Sequence, residues 1–244
     1  MSSISLVLCD WNGTIIEDRD EARIFRFIGS EILKHSIPFH PLRFIDLLRV
    51  MRRFEKLYKP NEDWEAVTME REYKAFSNKV VAGISVAGLR KIVDKYAEEA
   101  GKRLDGRILE AMSEIRGEVK TTGILSIGYG YGIKSILQKA GYADVFDFIQ
   151  ANEFEEEAGF IKQYRFSADK KRWLEQLIAE YQVSPDQVAY IGDSKRDDPC
   201  FEIVGHPLVA FLAPQQFKEH CAEKFGPRCI PEDVEGLLSY LRNP

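Results

Sequence analysis

The 244-residue sequence has few cysteines and histidines, and their spacing argues against two kinds of site. The four cysteines lie far apart and include no CxxC pair, which disfavours a disulfide framework and a structural zinc site. The four histidines show no metal-ligand spacing either. We therefore expect reduced thiols in a cytosolic protein. The cysteines are Cys9, Cys200, Cys221 and Cys229.

Long hydrophobic runs and a broad basic region are also missing. The apolar run at residues 4–9 is too short to cross a bilayer, and no basic segment precedes it, so neither a signal peptide nor a transmembrane helix is expected. The net charge of -5, with acidic and basic residues intermixed, gives no broad field for nucleic acid. With 45% hydrophobic and 30% charged residues, the composition is typical of a globular cytoplasmic enzyme without membrane or nucleic-acid partners.

Short apolar runs alternate with helical segments over much of the chain. This alternation predicts an α/β fold, doubly wound, with a mostly parallel Rossmann-like sheet. Strands are predicted at residues 4–9, 123–126, 145–149, 188–191 and 208–212, and helices at 108–115, 131–139, 170–181 and 231–241.

Residues 17–103 have a different pattern, which predicts about four helices and no strand. Hydrophobic residues recur there at helical spacing. They include Phe44, Leu47, Leu48, Met51, Phe54 and Tyr58, and then Leu89, Ile92, Val93 and Tyr96. We expect an all-helical insert at 17–103 within a core formed by residues 1–16 and 104–244.

Three polar residues follow predicted strands. Asp10, Ser126 and Asp193 each stand where an apolar run ends. Ligands of open α/β sheets bind outside the carboxyl ends of the strands, so we expect these side chains to share one site. Two converging carboxylates suit Mg²⁺, and a carboxylate can also act as the nucleophile in an aspartyl-phosphate mechanism.

The motifs around these residues resemble those of the haloacid dehalogenase superfamily. DWNGT at residues 10–14 is similar to the first motif, usually DxDGT, and ILS at 124–126 is similar to the second. IGDSKRD at 191–197 resembles the fourth motif, GDxxxD, and Lys170 stands where the third motif places a lysine. Weaker similarities at 83–90 and in a hairpin region at 151–160 favour the phosphoserine-phosphatase-like branch, in which the helical insert forms a cap.

The resemblance implies a Mg²⁺-dependent phosphatase acting on a small phosphorylated metabolite. Asp10 would be the nucleophile and a metal ligand. Asn12 would supply its backbone carbonyl to the metal and Asp193 a carboxylate, while Asp197 would belong to the ligand shell directly or through water. Lys170 would neutralise charge on the aspartyl-phosphate.

Further residues would contact the substrate. The resemblance implies that Ser126 hydrogen-bonds a phosphoryl oxygen, and we expect Ile127 and Gly128 beside it. The glycine-rich run at 128–132 is interpreted as a flexible turn that brings helix-start amides near phosphate, or as a purely structural turn. Trp11 is either a wall of the phosphate pocket or ordinary packing. Lys171 is the alternative to Lys170.

Asn12 departs from the family pattern, which places an acid–base aspartate there. A positioned acid–base group typically contributes about 10²–10⁴-fold to the rate, and an amide cannot exchange protons at neutral pH. Three explanations remain: a slower phosphatase or one with a good leaving group, a non-catalytic phospholigand-binding relative, or an engineered replacement. We favour the slower phosphatase. Other chemistry, such as carbon–halogen or phosphonate cleavage, is a further alternative.

The organic part of the substrate is expected near the charged residues that follow the first motif. The branch uses a carboxylate here for the substrate amino group, but the spacing does not fix which one. The connections near Glu17 and Arg103 would be the hinges of the cap, and His206 is the one histidine considered as a substitute proton carrier. The charged residues are Glu17, Asp18, Asp20, Glu21, Arg23 and Arg26.

Overall fold

A six-stranded sheet forms the centre of the molecule. The computed structural model describes residues 3–17, 20–36, 45, 48–50, 52–53 and 66–244. The strand order is β4-β3-β2-β1-β5-β6, and all neighbours are parallel except β3 and β4. The strands are β1 (Leu6–Cys9), β2 (Thr121–Tyr129), β3 (Phe148–Glu157), β4 (Phe160–Arg165), β5 (Val188–Gly192) and β6 (His206–Val209).

Helices cover both faces of this sheet. Side chains alternate along a strand, so Val7 and Cys9 pack into one hydrophobic cluster, while Leu6 and Leu8 pack into the other. Both faces of β1 are buried, which explains its continuous apolar sequence. The helices are α1 (Asp20–Ser36), α2 (Ala66–Phe76), α3 (Val86–Ala100), α4 (Gly106–Ile115), α5 (Gly130–Lys139), α6 (Lys170–Glu180), α7 (Asp198–Phe201), α8 (Gln215–Phe225) and α9 (Val234–Arg242). Among the described residues, none of the helices has the length and apolar character needed to cross a membrane.

The predicted α/β class with a doubly wound, mostly parallel sheet is confirmed. Two strand positions were wrong. Residues 145–147 precede β3, and β3 continues to Glu157 through polar residues because it pairs with β2 first and then with β4. The last predicted strand is displaced, since β6 spans His206–Val209 and residues 210–212 lie beyond it. The sequence pattern also did not predict β4 or α8 as separate elements.

The β3–β4 hairpin agrees with the hairpin expected from the family resemblance. Its two-residue turn consists of Ala158 and Gly159, both with positive φ (52° and 82°), between the paired residues Glu157 and Phe160. Such a turn matches the twist of the flanking strands. The hairpin also reaches the insert, because Ile161 N donates a hydrogen bond to Ile84 O at 2.8 Å.

The predicted turn in the glycine-rich run is wrong. β2 continues through Tyr129, and α5 begins directly at Gly130. The glycines instead permit close packing: a methyl group on Gly130 would overlap the Glu153 carboxylate, and one on Gly132 would lie 2.6 Å from Ile24 Cδ1. A lack of side-chain volume, rather than turn flexibility, accounts for the glycines at these two positions.

The described part of residues 17–103 is helical and contains α1, α2, a π-helical turn at Ser77–Val81, and α3. The helix predicted near residues 44–58 lies mostly outside the described residues, although residues 45, 48–50, 52 and 53 are helical. No strand occurs in the described part of this segment, as expected. The boundaries of the insert as a separate domain stay a prediction.

The two connections of this insert are hydrogen-bonded to each other. Glu17 N donates to Arg103 O at 3.3 Å, and Ile16 forms an antiparallel bridge with Leu104. Next to them, the Arg103 guanidinium pairs with the buried Asp20 carboxylate at 2.6 Å. Tyr96 OH donates to that same carboxylate at 2.5 Å. Motion at one predicted hinge would therefore disturb the other.

Gly123 provides a stability test of the sheet. A methyl group there would overlap the Phe148 ring on the neighbouring strand, so Gly123→Ala should lower the free energy of unfolding by about 1–3 kcal/mol. Gly106→Ala is the matched control, because nothing lies within 4 Å of a methyl group at the start of α4. The control should leave stability unchanged or raise it by about 0.5–1 kcal/mol. Urea denaturation of both variants measures the difference; equal effects would contradict close packing of Gly123 against Phe148.

Candidate functional site

Three acidic side chains converge at the carboxyl ends of β1 and β5. Asp10 follows β1, and its backbone N–H donates to Ile191 O at 2.8 Å, which places it beside the end of β5. Asp193 follows β5, and Asp197 lies four residues further along the chain. All three are buried, and one oxygen from each carboxylate lies within 4.8 Å of the others. The convergence of Asp10 and Asp193 expected from the parallel sheet is present, with Asp197 as the third member.

Glycines in the first and fourth motifs make this approach possible. Gly13 has a φ of +77°, and a methyl group there would overlap the Asp193 carboxylate. A methyl group on Gly192 would lie 2.5 Å from Cγ of Asp197. The two motifs therefore need glycine to bring the carboxylates together, and Gly13 also needs it for its backbone conformation.

Lys170 lies between two of the carboxylates. Its Nζ is 2.8 Å from Asp10 Oδ1 and 2.8 Å from Asp197 Oδ1. Asp169 caps α6 through a hydrogen bond from Arg172 N, which fixes the helix start that carries Lys170. Lys170 is buried, whereas Lys171 is exposed. Of the two candidate lysines, Lys170 is the one that contacts Asp10.

Both carboxylate oxygens of Asp197 already accept hydrogen bonds from the protein. Oδ1 accepts from Lys170 Nζ at 2.8 Å and from Tyr190 OH at 2.8 Å. Oδ2 accepts from the backbone N–H groups of Asp193 at 3.0 Å and Ser194 at 3.2 Å. These bonds offset the cost of burying the charge and fix the orientation of the carboxylate.

Burial and neighbouring charge shift the pKa values of this cluster in opposing ways. Burial raises the pKa of Asp10 to about 6, against the lowering effect of Lys170. Burial acts to lower the pKa of Lys170, but the charges of Asp10 and Asp197 outweigh it and raise the pKa, so the ammonium stays charged. Three carboxylates converge, two of them on the Lys170 ammonium, and the group could hold a metal ion. An oxygen donor set with excess negative charge fits a hard divalent cation.

The remaining predicted residues have different surroundings. Ser126 is fully buried on β2, and its Oγ accepts a hydrogen bond from Gly128 N at 3.0 Å. Ile127 is half-buried, and its carbonyl accepts from Asn152 Nδ2 at 2.7 Å. The Trp11 side chain lies in the hydrophobic core, which favours ordinary packing over a pocket wall.

Asn12 connects the first motif to α1. Its Oδ1 accepts a hydrogen bond from Glu21 N at 3.2 Å, in the first turn of that helix. The amide oxygen therefore satisfies one of the backbone N–H groups that a helix start leaves without an intrahelical partner. In this structure, the side chain at the acid–base position supports the beginning of α1.

Glu21 is the buried acidic residue beside Ser126. Its Oε1 accepts from Tyr73 OH at 3.0 Å, and its Oε2 accepts from Tyr129 N at 3.1 Å. A methyl group on Gly128 would lie 2.8 Å from Glu21 Oε2 and 3.2 Å from Ser126 Oγ, so these two groups border the same small space. Burial raises the pKa of Glu21 to about 8. The sequence identified the charged segment but not this member of it.

The other candidates from that segment have different positions. Asp20 is held by Arg103 and Tyr96, and the exposed Glu17 pairs with Arg23 at 3.0 Å. Arg23 and Arg26 are exposed, and Asp18 lies outside the described residues. Of the described acidic residues in this segment, Glu21 is thus the one placed next to Ser126.

His206, considered as a substitute proton carrier or as a loop residue, is neither beside the acidic cluster nor in a loop, because it begins β6. It pairs with Ala189 near the amino end of β5, whereas the acidic cluster follows the carboxyl end. Its ring nitrogens contact Tyr240 OH at 3.3 Å and Asp186 O at 3.0 Å. Although His206 follows the fourth motif in sequence, it lies near the amino ends of the strands, away from the acidic cluster. His206 is therefore not a substitute proton carrier.

The family comparison agrees with the motif geometry. Residues 7–202 match the haloacid dehalogenase-like hydrolase family. The chain belongs to this family. The Asp10, Lys170 and Asp193–Asp197 segments lie on the strand ends and helix start expected from the family resemblance. No curated protein sequence matches the chain.

Solved structures share the haloacid dehalogenase-like fold at low sequence identity. A substrate-bound phosphoserine phosphatase complex has a TM-score of 0.59 at 16% identity, covering 98% of this chain and 99% of that one. Cytosolic 5′-nucleotidase IIIB bound to cytidine has a TM-score of 0.62 at 16% identity, covering 97% and 84%. A protein of unknown function from Bordetella pertussis Tohama I has a TM-score of 0.67 at 14% identity, covering 92% and 97%. These matches concern the fold.

The raised pKa of Glu21 predicts how stability depends on pH. The folded state holds the Glu21 proton more tightly than the unfolded state. The contribution of Glu21 to the free energy of unfolding therefore falls as pH rises from 4.5 to about 8. In Glu21→Gln that slope should disappear, because the amide does not titrate and can still bond Tyr73 OH and Tyr129 N. We expect the variant to gain on the order of 3 kcal/mol relative to the parent between pH 5 and pH 8.

Urea denaturation at pH 5, 6.5 and 8 measures this change. Glu31→Gln is the control, and its effect on stability should have the opposite sign. Hydrogen bonds from Lys34 and Lys95 lower the pKa of Glu31, whereas the pKa of Glu21 is raised. That variant should lose stability, and the loss should be fully present above the ordinary pKa of 4.5. A Glu21→Gln variant whose stability follows the parent's pH dependence would contradict the assignment.

Proposed function

We propose that the protein is a Mg²⁺-dependent phosphatase that hydrolyses a small phosphorylated metabolite through an aspartyl-phosphate on Asp10. The observation that carries the proposal is the position of the Asp10 carboxylate. It is buried at a strand end, 2.8 Å from the Lys170 ammonium and within a group of three carboxylates. A nucleophilic carboxylate, a cationic neighbour and an oxygen-rich cation site are the parts that phosphoryl transfer needs.

Asp10, Asp193 and the backbone carbonyl of Asn12 would hold the cation. Asp197 would contact it through water, because both of its oxygens already accept hydrogen bonds from Lys170, Tyr190 and backbone amides. The bound cation would offset negative charge on the phosphoryl oxygens.

Asp10, Lys170 and Ser126 supply the nucleophile and the charge and hydrogen-bond partners for both steps, but not the proton transfer. A carboxylate oxygen of Asp10 bonds to phosphorus as the bond from phosphorus to the leaving oxygen breaks, and the leaving oxygen takes up a proton from solvent. Water then attacks the phosphorus of the aspartyl-phosphate, releasing phosphate and restoring Asp10. Lys170 balances the charge at Asp10, and the Ser126 hydroxyl with the nearby amide of Ile127 orients the phosphoryl oxygens, while the amide of Gly128 donates to Ser126 Oγ and orients that side chain.

Glu21 is the proposed contact for the organic part of the substrate. It is buried beside Ser126, so a substrate held at Ser126 would extend towards it. A substrate ammonium would lower the raised pKa of this group and stabilise its carboxylate form, and a hydroxyl could also donate to it. Phosphoserine, named for one structural relative, carries such an amino group. We therefore propose a small metabolite with a phosphate and a nearby donor group.

Asn12 favours a slow enzyme and also motivates the alternative function. Its amide cannot carry a proton between the leaving group and water, so turnover would depend on solvent or on a good leaving group. If turnover is absent, the same site would serve a non-catalytic protein that binds phosphorylated ligands. A reducing, cytoplasmic location is part of the proposal and is supported by four buried, unpaired cysteines.

Replacement of the nucleophile tests the phosphatase proposal. The parent protein should release phosphate from p-nitrophenyl phosphate only with Mg²⁺, and chelation should abolish the release. Asp10→Asn should lower kcat at least about 10³-fold, since an amide cannot form the aspartyl-phosphate. The exposed Asp144 gives a matched control, and Asp144→Asn should keep the parental rate. Metal-independent release that survives Asp10→Asn would refute the proposal.

Restoring the acid–base carboxylate tests the interpretation of Asn12. Asn12→Asp should raise kcat for an alkyl phosphate by about 10²–10⁴-fold and raise it less for an aryl phosphate, whose leaving group needs little protonation. Rates for both substrates with the parent and the variant measure this difference. An active parent that gains nothing would show that another group transfers the proton. Mg²⁺-dependent phosphate-analogue binding without turnover in the parent would instead favour the non-catalytic function.

A further inference from the structure

Tyr190 brings a hydroxyl group to the acidic cluster from within the sheet. It lies on β5, two residues before Gly192, and is fully buried. Because side chains alternate along the strand, Tyr190 packs on the same face as Leu174 of α6 and Phe201 of α7. Lys170 begins α6, and Asp197 precedes α7. The length of the tyrosine side chain carries its hydroxyl to the level of these two groups.

The hydroxyl is hydrogen-bonded to both Asp197 and Lys170. It donates to Asp197 Oδ1 at 2.8 Å and accepts from Lys170 Nζ at 3.4 Å. The ammonium also contacts Asp10 Oδ1 and Asp197 Oδ1, so its three protons have three acceptors. Tyr190, Lys170 and Asp197 are therefore each hydrogen-bonded to the other two, and Lys170 makes its third contact with Asp10.

The ring of Tyr190 is held independently of the hydroxyl. It packs edge-to-face against Phe201, with ring centroids 5.8 Å apart. Phenylalanine at this position would keep the packing but remove one donor to Asp197 and one acceptor for Lys170. Asp197 could then rotate about its remaining bonds, and the ammonium that it holds would be less well fixed against Asp10.

We propose that Tyr190 is a positioning residue of the Asp10 site, which acts through Asp197 to keep the Lys170 ammonium aligned on the Asp10 carboxylate. The proposal rests on the proposed function, because alignment matters where Asp10 gains and loses a phosphoryl group. Tyr190 lies behind Lys170 and Asp197, so its effect should fall on the reaction step and leave binding of the organic part of the substrate unchanged.

Tyr190→Phe is the variant that tests this role. We expect kcat for p-nitrophenyl phosphate to fall about tenfold with KM nearly unchanged, the size expected for one hydrogen bond to a charged group. Tyr240→Phe is the matched control, because it removes a hydroxyl that contacts His206, at the edge of the sheet away from the cluster. The control should keep the parental kcat.

A second measurement does not depend on turnover. Beryllofluoride coordinates an aspartate oxygen and imitates a phosphoryl group, so its affinity in the presence of Mg²⁺, measured by fluorine NMR, reports on the alignment around Asp10. Tyr190→Phe should weaken this binding about tenfold, and Tyr240→Phe should not. On an Asp197→Asn background, Tyr190→Phe should have little further effect, since a residue that acts through Asp197 is not additive with its loss.

The outcomes separate this inference from the proposed function. A parent that binds beryllofluoride without turnover would refute the phosphatase proposal, and the affinity of Tyr190→Phe would still decide the role of Tyr190. Parental kcat and parental beryllofluoride affinity in Tyr190→Phe would refute the positioning role alone. A lower melting temperature with both quantities unchanged would show that the hydroxyl contributes only to stability. A parent with neither turnover nor binding would refute both.

Discussion

The buried contact between the Lys170 ammonium and the carboxylates of Asp10 and Asp197 is the constraint on which the site depends. Burying any of these charges alone would cost several kcal/mol, and the attraction between them offsets that cost only with precise geometry. The remaining donors to Asp197 come from Tyr190 and two backbone amides, which complete its hydrogen bonding. The local fold is thus arranged to keep a charged, water-poor cluster in one geometry.

The parallel sheet provides that geometry at low structural cost. The neighbouring strands β1 and β5 end at the same edge, so Asp10 and Asp193 meet without any long loop. Gly13 then allows the Asp193 carboxylate to pack directly against the first motif. On the other side of β1, the β2 strand extends further and carries Ser126 past the end of β1. Two short motifs therefore bring the three carboxylates together, and Lys170 joins them from the start of α6.

Contacts of this kind were predictable because they depend on strand ends and on short spacings within motifs. Asp193 and Asp197 are four residues apart, and Asp10 is fixed by the end of β1. Glu21 could not be selected, because its partner Tyr73 is 52 residues away in sequence and its burial depends on the orientation of α1. The role of Tyr190 was also hidden: in an apolar strand it resembles a core residue, although a buried hydroxyl needs a partner. The length of β3 was not predictable either, because its polar second half is a strand only through its pairing with β4.

The amide at position 12 is best understood together with Glu21. Asn12 Oδ1 accepts the backbone N–H of Glu21, whose own carboxyl group is buried and has a raised pKa. A carboxylate in place of the amide would accept the same hydrogen bond, but it would add a negative charge beside an already disfavoured one. The pKa of Glu21 would rise further, although the carboxylate itself would suit the positive end of α1. Asn12 therefore removes a proton carrier from the site and, for the same electrostatic reason, makes it easier for Glu21 to be ionised where a cationic substrate group would need it.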